Sequence, residues 1–272
     1  MTRKMNPKRH WREMSWQDFR DGNPEGWIAV VPVAAIEQHG PHLPLSVDAT
    51  IAEGYLARVH KLLPDNLPAT FLPVQQIGKS DEHSDFPGTL TFSWETLTRA
   101  WIELGESVHR AGVRKILFVN SHGGNSSLLN LVIGELREKF GMLAVTTAWH
   151  RFGYPAGLFN EAERIHGIHG GEIETSLMLA FAPEQVRMDK LDNFVPATVA
   201  MEKEFKYLRA VTPAGFGWMT QDLQETGALG NAKAATKEKG EKAADHGARA
   251  FISLLEDVHR FDLKRLKKGP LG

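Results

Sequence analysis

The chain has 272 residues, 42% of them hydrophobic and 24% charged, which is the composition of a globular protein with a sizeable core. Its 32 lysines and arginines nearly balance its 33 aspartates and glutamates, so neither nucleic acid nor a membrane surface is expected as a partner. Cysteine is absent from the sequence, which excludes disulfides and leaves histidines and carboxylates as the strong metal ligands.

Nothing in the sequence predicts export or membrane insertion. The longest apolar stretch, residues 27–36, is too short to span a bilayer. The N-terminal segment has no apolar core behind its basic residues and is not expected to be a secretory signal; it reads MTRKMNPKRHWREM. We therefore expect a cytoplasmic protein. Because no repeat or low-complexity linker divides the sequence, we predict a single domain over residues 1–272.

The first predicted elements are a strand, a helix and a second strand. The short, β-branched and non-alternating pattern of residues 26–33 (GWIAVVPV) predicts a buried strand. A helix is predicted over residues 48–63, with Asp48 as its N-cap. Residues 69–78 (ATFLPVQQIG) predict another strand that ends in a loop.

A polar loop and a second helix come next. Turn-forming residues fill the segment 78–93, and Ser93 is the predicted cap of a helix that runs to about residue 110. A second strongly apolar strand is predicted over residues 113–120 (VRKILFVN).

The last helix and strand of this series complete an alternating pattern. A helix is predicted over residues 126–140, capped by Asn125 or Ser126, and a strand over residues 142–149. The alternation of strands and helices predicts an α/β fold, a three-layer α/β/α sandwich around a largely parallel sheet. In such sheets, ligands bind beyond the carboxyl ends of the strands.

The first cluster of chemically active residues directly follows the first strand, in the segment IEQHGPHLPLSVD. Glu37 and His39 are two residues apart, so in an extended chain their side chains project to the same side. The turn-rich loop after them contains His42 and returns to Asp48 at the predicted helix start. The cluster contains no lysine or arginine, as expected for half of a metal site.

The second cluster is NSHGGNSS, which joins the strand at 113–120 to the next helix. His122 is therefore expected at the carboxyl edge of the sheet, and Gly123 and Gly124 let the backbone approach a ligand closely. A glycine-rich turn of this kind could instead hold phosphate, but neither nucleotide-binding glycine spacing is present.

The third cluster is HGIHGGEIETSLMLAF, which begins with histidines and glycines and continues as an apolar helix. Helical spacing puts Glu174 on the apolar face and Glu172 on a more polar face. A carboxylate that points into a core is costly unless it is paired or bound to metal. We therefore favour Glu174 over Glu172 as a ligand, and His169 comes just before this helix.

The clusters together supply an oxygen- and nitrogen-rich ligand set that exceeds the needs of one tetrahedral zinc ion. It fits two divalent metals bridged by a carboxylate, which would activate a water for attack on a carbonyl. His42 and Glu172 are expected to orient ligands. His83 and Asp85 lie in the polar loop, where turn formation is a sufficient explanation for them.

The three clusters resemble the signature segments of the creatininase (creatinine amidohydrolase) family. The segments EHSDFPGTLT and GALGNAKAATKEKGE also resemble parts of that family, so the likeness covers about residues 31–241. The resemblance implies an α/β sandwich with two divalent metal ions, zinc with manganese or iron, and a homo-oligomer, commonly a hexamer. It also implies a small-molecule substrate.

The resemblance also implies roles for individual residues. The implied metal ligands, with Asp48 as the bridging residue, are Glu37, His39, Asp48, His122 and Glu174. His169 resembles the catalytic histidine of the family, and we group Glu172 with it in the catalytic set.

One departure from the family pattern bears on the substrate. Creatinine-hydrolysing members carry a glutamate two residues after the histidine that matches His122, and this chain has Gly124 there. We therefore expect a hydrolase that opens a cyclic amide or related carbonyl compound other than creatinine. The alternatives are cleavage of a C–C bond in an oxidised cyclic sugar or polyol, and a non-catalytic binding protein of the same fold.

The substrate pocket is expected to be lined by the loops around residues 78–88, 149–169 and 216–230. Large aromatic residues in or near these loops either wall the pocket or belong to the core: Trp149, Tyr154 and Trp218.

Overall fold

The computed structural model describes residues 6–270, so the first five residues of the basic N-terminal segment lie outside it. Four parallel strands form the main sheet in the order β2-β1-β3-β4. They are β1 Ile28–Val33, β2 Ala69–Phe71, β3 Lys115–Asn120 and β4 Leu143–Ala148. The four predicted strands are confirmed, each within somewhat shorter bounds.

One helix precedes the four strands of the main sheet, three connect them, and the others follow β4 in the chain. The helices are α1 Trp16–Asp21, α2 Val47–Leu62, α3 Trp94–Arg110, α4 Ser126–Phe140, α5 Glu161–His166, α6 Glu172–Phe181, α7 Thr198–Glu204, α8 Thr220–Leu223 and α9 Lys237–Arg260. The predicted cap of α3 is confirmed, because the side chain of Ser93 accepts a hydrogen bond from the backbone N–H of Thr96.

One predicted cap is wrong, and another is right in position only. Helix α2 begins one residue earlier than predicted, so Ser46 is its N-cap residue and Asp48 lies inside the first turn. Asn125 is the N-cap residue of α4 but makes no capping hydrogen bond. Its side chain instead accepts from the N–H of Lys79 and donates to the carbonyl of Ala34. These contacts tie the loop after β1 to the loop before α3.

Apolar side chains alternate between the two faces of the sheet. Ile28 and Leu117 belong to a core shared with α2, α6 and α9. Ala29 and Phe118, the next residues along the same strands, belong to a core shared with α3 and α4. Both faces are thus covered by helices, as parallel sheets require. This arrangement confirms the predicted three-layer α/β/α sandwich.

The strand order creates a crevice at the carboxyl edge of the sheet. From β1 the chain passes through α2 to β2 on one side, and then through α3 to β3 on the other side of β1. The strand order therefore reverses between β1 and β3, the place where doubly wound sheets bind their ligands. In the register of this pair, Val33 lies beside Asn120.

Short strands complete the structure outside the main sheet. β5 Asn193–Phe194 pairs antiparallel with β8 Gly230–Asn231, and β6 Leu208–Arg209 pairs parallel with β7 Ala214–Gly215. Across residues 6–270, no helix has both the length and the apolar character needed to cross a membrane.

Candidate metal centre

Glu37 and His39 lie in the segment that leaves β1, and both are fully buried. The carboxylate oxygen Oε1 of Glu37 is 3.8 Å from the ring nitrogen Nε2 of His39. The two side chains therefore project to the same side, as the spacing of two residues predicted. The other ring nitrogen of His39, Nδ1, lies 3.1 Å from the backbone oxygen of Glu37, so Nε2 is the atom presented to the cluster.

Asp48 reaches the same cluster from the first turn of α2. Its Oδ1 lies 4.0 Å from Nε2 of His39, and its Oδ2 lies 3.5 Å from Nδ1 of His122. The hydroxyl of Ser121 donates a 2.8 Å hydrogen bond to the backbone oxygen of Asp48, which fixes the start of α2 against the end of β3. The two oxygens of one carboxylate thus face two different histidines.

His122 follows β3 by two residues and is buried. Its Nδ1 lies 3.1 Å from Oε1 of Glu37, while Nε2 donates to the backbone oxygen of Lys79 at 2.7 Å. Asn120 holds the backbone of this turn, because its side chain bonds both the N–H and the carbonyl of His122. The imidazole is therefore fixed with Nδ1 toward the cluster.

Glu174 approaches from α6, with Oε2 3.7 Å from Nε2 of His39. The same oxygen accepts a 2.6 Å hydrogen bond from the N–H of Gly170. His42 contacts the same turn, since its Nε2 lies 3.0 Å from the backbone oxygen of Gly170 and 3.0 Å from the hydroxyl of Thr175. His42 thus lies where a residue that orients a ligand is expected.

The predicted orientation of the two glutamates on α6 is wrong. The side chain of Glu172 is 2% exposed and forms an ion pair with Lys239 of α9, whereas that of Glu174 is 23% exposed. The hydrophobic pattern of α6 does not predict which glutamate is buried. A lysine on a neighbouring helix compensates the charge of Glu172 and so allows its burial. Glu172 lies outside the groups that could hold a metal, and its catalytic role stays a prediction.

His169 is stacked between two other histidines, with ring centroids 4.0 Å from His39 and 4.1 Å from His83. Its Nε2 donates to the backbone oxygen of Gln38 at 2.6 Å, and its Nδ1 lies 3.6 Å from Oε1 of Glu37. The backbone of His169 also pairs with that of Leu229. The imidazole of His169 is thus held in place by stacking and by a hydrogen bond.

The potential ligand atoms form three overlapping groups whose members lie within 4.8 Å of one another. The first is Glu37, Asp48 and His122, the second is His39, Asp48 and Glu174, and the third is Glu37, His39 and His169. All five predicted ligands are brought together, and Asp48 belongs to two of the three groups.

The buried ligand atoms lack ordinary partners. Within residues 6–270, no hydrogen bond satisfies either carboxylate oxygen of Glu37, Nε2 of His39 or Oδ2 of Asp48. No lysine or arginine of that range pairs with these residues or with Glu174. Unpaired buried carboxylates are costly. Divalent cations would supply the missing partners, so the residues present fit a metal centre.

The electrostatics of the cluster leads to the same conclusion. Burial alone would raise the pKa of Glu37, but the neighbouring imidazoles, that of His122 first, lower it well below its usual range. Burial raises the pKa of both Asp48 and Glu174, and it lowers the pKa of His39. Added positive charge would favour the ionised carboxylates and the neutral imidazole that metal ligation requires.

Three residues of the site were not found from the sequence. His83, assigned there to turn formation, is buried with Nε2 3.5 Å from Oε1 of Glu37. The side-chain nitrogen of Gln38 lies 2.7 Å from Nδ1 of His83, and Oε1 of Glu82 lies 3.7 Å from Nε2 of His122. Their place in the site becomes evident only when the loops that carry them pack together in the fold. The segment EHSD does, however, combine a histidine with carboxylates, as the other clusters do. Asp85 accepts a hydrogen bond from Gln221 instead.

A cavity of about 690 Å³ lies beside the cluster. Its lining residues are Gln38, His39, Gly40, Pro41, Leu43, Pro44, Leu45, Phe86, Pro87, Arg187 and Thr226. Two of the three loops predicted to line the pocket contribute to it. Trp149 belongs to the core, where its ring stacks on Tyr55 at 4.3 Å, and Trp218 donates to the backbone oxygen of Ala210. Tyr154 packs edge-on against Phe159.

Comparison with known proteins agrees with this geometry. The family model Creatininase, described as creatinine amidohydrolase, matches residues 12–255. A mycofactocin precursor peptide peptidase of Mycobacterium tuberculosis is 30% identical over 239 residues, which cover 85% of this chain and 82% of the relative. A creatinine amidohydrolase of Pseudomonas putida is 31% identical over 247 residues, which cover 84% of this chain and 89% of the relative.

Solved structures of creatininases have the same fold as this chain. A structure named "Creatininase Mn" superposes with a TM-score of 0.72 at 25% identity, over 94% of this chain and 100% of its own. A mutant creatininase of "Zn-Zn type" gives a TM-score of 0.73 at 26% identity, with the same coverage. The family model over residues 12–255, the relatives of 30% and 31% identity and the matching fold establish that the chain belongs to the creatininase (creatinine amidohydrolase) family.

Proposed function

We propose that this protein is a metal-dependent hydrolase that uses two divalent ions to cleave the C–N bond of an amide in a small molecule. The observation that carries the proposal is the set of buried, unsatisfied ligand atoms of Glu37, His39 and Asp48 at the switch point of the sheet. Structural relatives with manganese and zinc in their names make these two metals the first candidates.

Each ion has its own set of ligands in this proposal. Glu37 and His122 would hold one ion, His39 and Glu174 would hold the other, and Asp48 would bridge them. The ions, when bound, supply an activated water and polarise the substrate carbonyl. The chain supplies the rigid arrangement, because every ligand is fixed by a strand end or a helix start.

We assign the proton transfer to His169. Hydrolysis of an amide adds the oxygen of water to the carbonyl carbon, breaks the C–N bond and delivers a proton to the departing nitrogen. The Nε2–H of His169 is bonded to the backbone of Gln38, so Nδ1 is free to accept the proton of water and pass it on. General acid–base help of this kind typically contributes roughly 10²–10⁴ in rate.

The substrate is proposed as an amide, and a cyclic amide is included in that class. The names of the two relatives, a peptidase and an amidohydrolase, both describe cleavage of amide bonds. The cavity beside the cluster is lined mainly by uncharged residues such as Leu43 and Phe86, which favours a substrate with an apolar part. The glycine at position 124 remains our reason to expect a substrate other than creatinine.

The experiment is metal analysis and turnover on the same purified sample. We expect about two equivalents of zinc or manganese per chain and hydrolysis of at least one member of a panel of cyclic amides and dipeptides. Removal of metal by a chelator should abolish turnover, and added zinc or manganese should restore it. A sample that binds both ions but hydrolyses no amide supports the C–C hydrolase or the binding protein instead. Full activity after complete metal removal contradicts the proposal.

The assembly and location of the protein are proposals as well. We propose a homo-oligomer, with a hexamer as the expected size, acting on a small-molecule substrate in the cytoplasm without nucleic acid or membrane partners. Light scattering of the purified protein checks the oligomer.

A further inference from the structure

His122 lies between the candidate metal centre and a short segment of the loop before α3. Its Nδ1 faces Glu37 and Asp48 at 3.1 and 3.5 Å. Its Nε2 faces the backbone oxygen of Lys79 at 2.7 Å and Oε1 of Glu82 at 3.7 Å. Because the backbone oxygen of Lys79 accepts a hydrogen bond from Nε2, Nδ1 is the ring nitrogen directed at the metal centre.

The carboxylate of Glu82 faces His122. Its side chain is 18% exposed, and in residues 6–270 its carboxylate pairs with no lysine or arginine. The nearest lysine in sequence, Lys79, pairs with Asp81 at 3.0 Å instead. The hydroxyl of Thr220 donates to the backbone oxygen of Glu82 at 2.8 Å and holds the turn in place. The carboxylate of Glu82 therefore adds unpaired negative charge at the outer edge of the His122 ring.

Gly124 provides the space in which this arrangement forms. A Cβ atom at position 124 would lie 2.4 Å from Nε2 of His122, 2.4 Å from the backbone oxygen of Lys79 and 2.6 Å from Oε1 of Glu82. All three distances are too short for a real contact, so any side chain would displace at least one of the groups. The preceding Gly123 differs, because a Cβ there would meet nothing within 4 Å.

We infer that the backbone of Lys79, the carboxylate of Glu82 and the open space at Gly124 form an outer support that orients His122 and strengthens its binding of one of the two ions. The inference rests on the proposed function, since it requires the metal centre. Outer partners of metal-bound histidines fix the ring and raise its basicity, and their loss typically costs about 10–100-fold in metal affinity. Glu82 is a positioning residue in this account and does not itself touch substrate.

The first test compares Glu82→Gln with Asp81→Asn in zinc titrations against a chromogenic chelator. The glutamine keeps the shape of the side chain and removes its charge. We expect the affinity for one equivalent of zinc to fall about 10–100-fold in Glu82→Gln, with the second equivalent unchanged. Asp81→Asn removes a charge from the neighbouring residue, whose side chain is 54% exposed and directed at Lys79, and should match the unsubstituted protein.

The second test compares Gly124→Ala with Gly123→Ala. The extra methyl group at position 124 should weaken the same zinc equivalent and change the visible spectrum of the cobalt-substituted protein, because it displaces Glu82 or turns His122. The methyl group at position 123 should change neither. If Gly124→Ala does not fold, Glu82→Gln still decides the matter.

The outcomes separate this inference from the proposed function. If the unsubstituted protein binds no divalent metal, the proposed function fails. If it binds two ions and Glu82→Gln binds both with the same affinities, the supporting role of Glu82 is overturned. Equal losses of zinc affinity in Glu82→Gln and Asp81→Asn would also overturn it, because removal of any nearby negative charge would then explain the weaker binding.

Discussion

Val33 lies beside Asn120 in the parallel pairing of β1 with β3, and this register brings two distant segments of the chain together. Glu37 and His39 follow the first of these strand ends, and His122 follows the second. Four of the five proposed ligands thus come from the two segments that leave the sheet at its switch point, and Glu174 comes from α6. The candidate metal centre depends on the sheet as a whole and on no single loop.

Replacement of either histidine ligand should remove metal without unfolding the protein. We expect His39→Ala and His122→Ala each to lose about one equivalent of divalent metal and to abolish amide hydrolysis. Both residues lie at strand ends outside the apolar core, so circular dichroism should show an unchanged fold. His259→Ala, at the exposed end of α9, is the control and should keep both equivalents. Full metal content and turnover in either variant would exclude that residue from the ligand set.

Asp48→Asn should cause a larger loss than removal of either terminal ligand. Its two oxygens face His39 and His122 separately, so a bridging role makes both ions depend on it. We expect loss of both equivalents in metal analysis. Asp48 is not the N-cap residue of α2, which is Ser46, so the substitution should leave the start of the helix intact. A variant that retains both ions and turns over normally would rule out the bridge.

His169→Ala should keep both ions and slow turnover by roughly 10²–10⁴. Its imidazole is already fixed by Gln38 and by stacking between His39 and His83, so the ring is available as a base without rearrangement. Single-turnover kinetics and metal analysis on one sample check this prediction. Loss of one equivalent would make His169 a ligand, which its position near Glu37 and His39 permits. Near-normal turnover would leave it a structural residue.

Glu172→Gln distinguishes a catalytic role of Glu172 from a structural one. Because Glu172 is buried and paired with Lys239 between α6 and α9, we expect the free energy of unfolding to fall by about 1–3 kcal/mol. Metal content and kcat should be unchanged. A double-mutant cycle with Lys239→Met, followed by urea unfolding, measures the coupling of the pair. A loss of kcat with normal stability would support the predicted catalytic role of Glu172.

Lys115→Met should destabilise the fold without affecting the metal centre. Lys115 begins β3 at the opposite edge of the sheet, and its ammonium group donates to the backbone oxygens of Val258, His259 and Phe261 at the end of α9. Loss of these bonds should lower the free energy of unfolding by about 1–3 kcal/mol in urea titrations.

The control for that prediction is Lys139→Met. Its ammonium group is about half exposed and, within residues 6–270, pairs with Glu135 one turn away, so no measurable change in the free energy of unfolding is expected. Equal losses in both variants would show that the three carbonyl contacts of Lys115 stabilise the fold no more than the exposed ion pair of Lys139 does.

The sequence by itself determined the main sheet and the places where chemistry lies. Strands and helices have different hydrophobic periods, so their positions can be predicted locally, and all four main strands were. Carboxyl ends of parallel strands meet at one edge, so Glu37, His39 and His122 could be expected together before any contact was known. The cap assignments were less accurate, because the N-cap of α2 lies two residues before Asp48, which places Asp48 inside the helix.

The tertiary structure alone decided which side chains complete and support the site. Glu172 is buried because Lys239 of a distant helix neutralises it, and no local periodicity reports that pairing. His83 and Glu82 look like ordinary turn residues until the loop that carries them packs against His169 and His122. Hydrophobic patterns record the average exposure of a residue along its own element. The partner of a buried polar group comes from another element, so only the assembled fold specifies it.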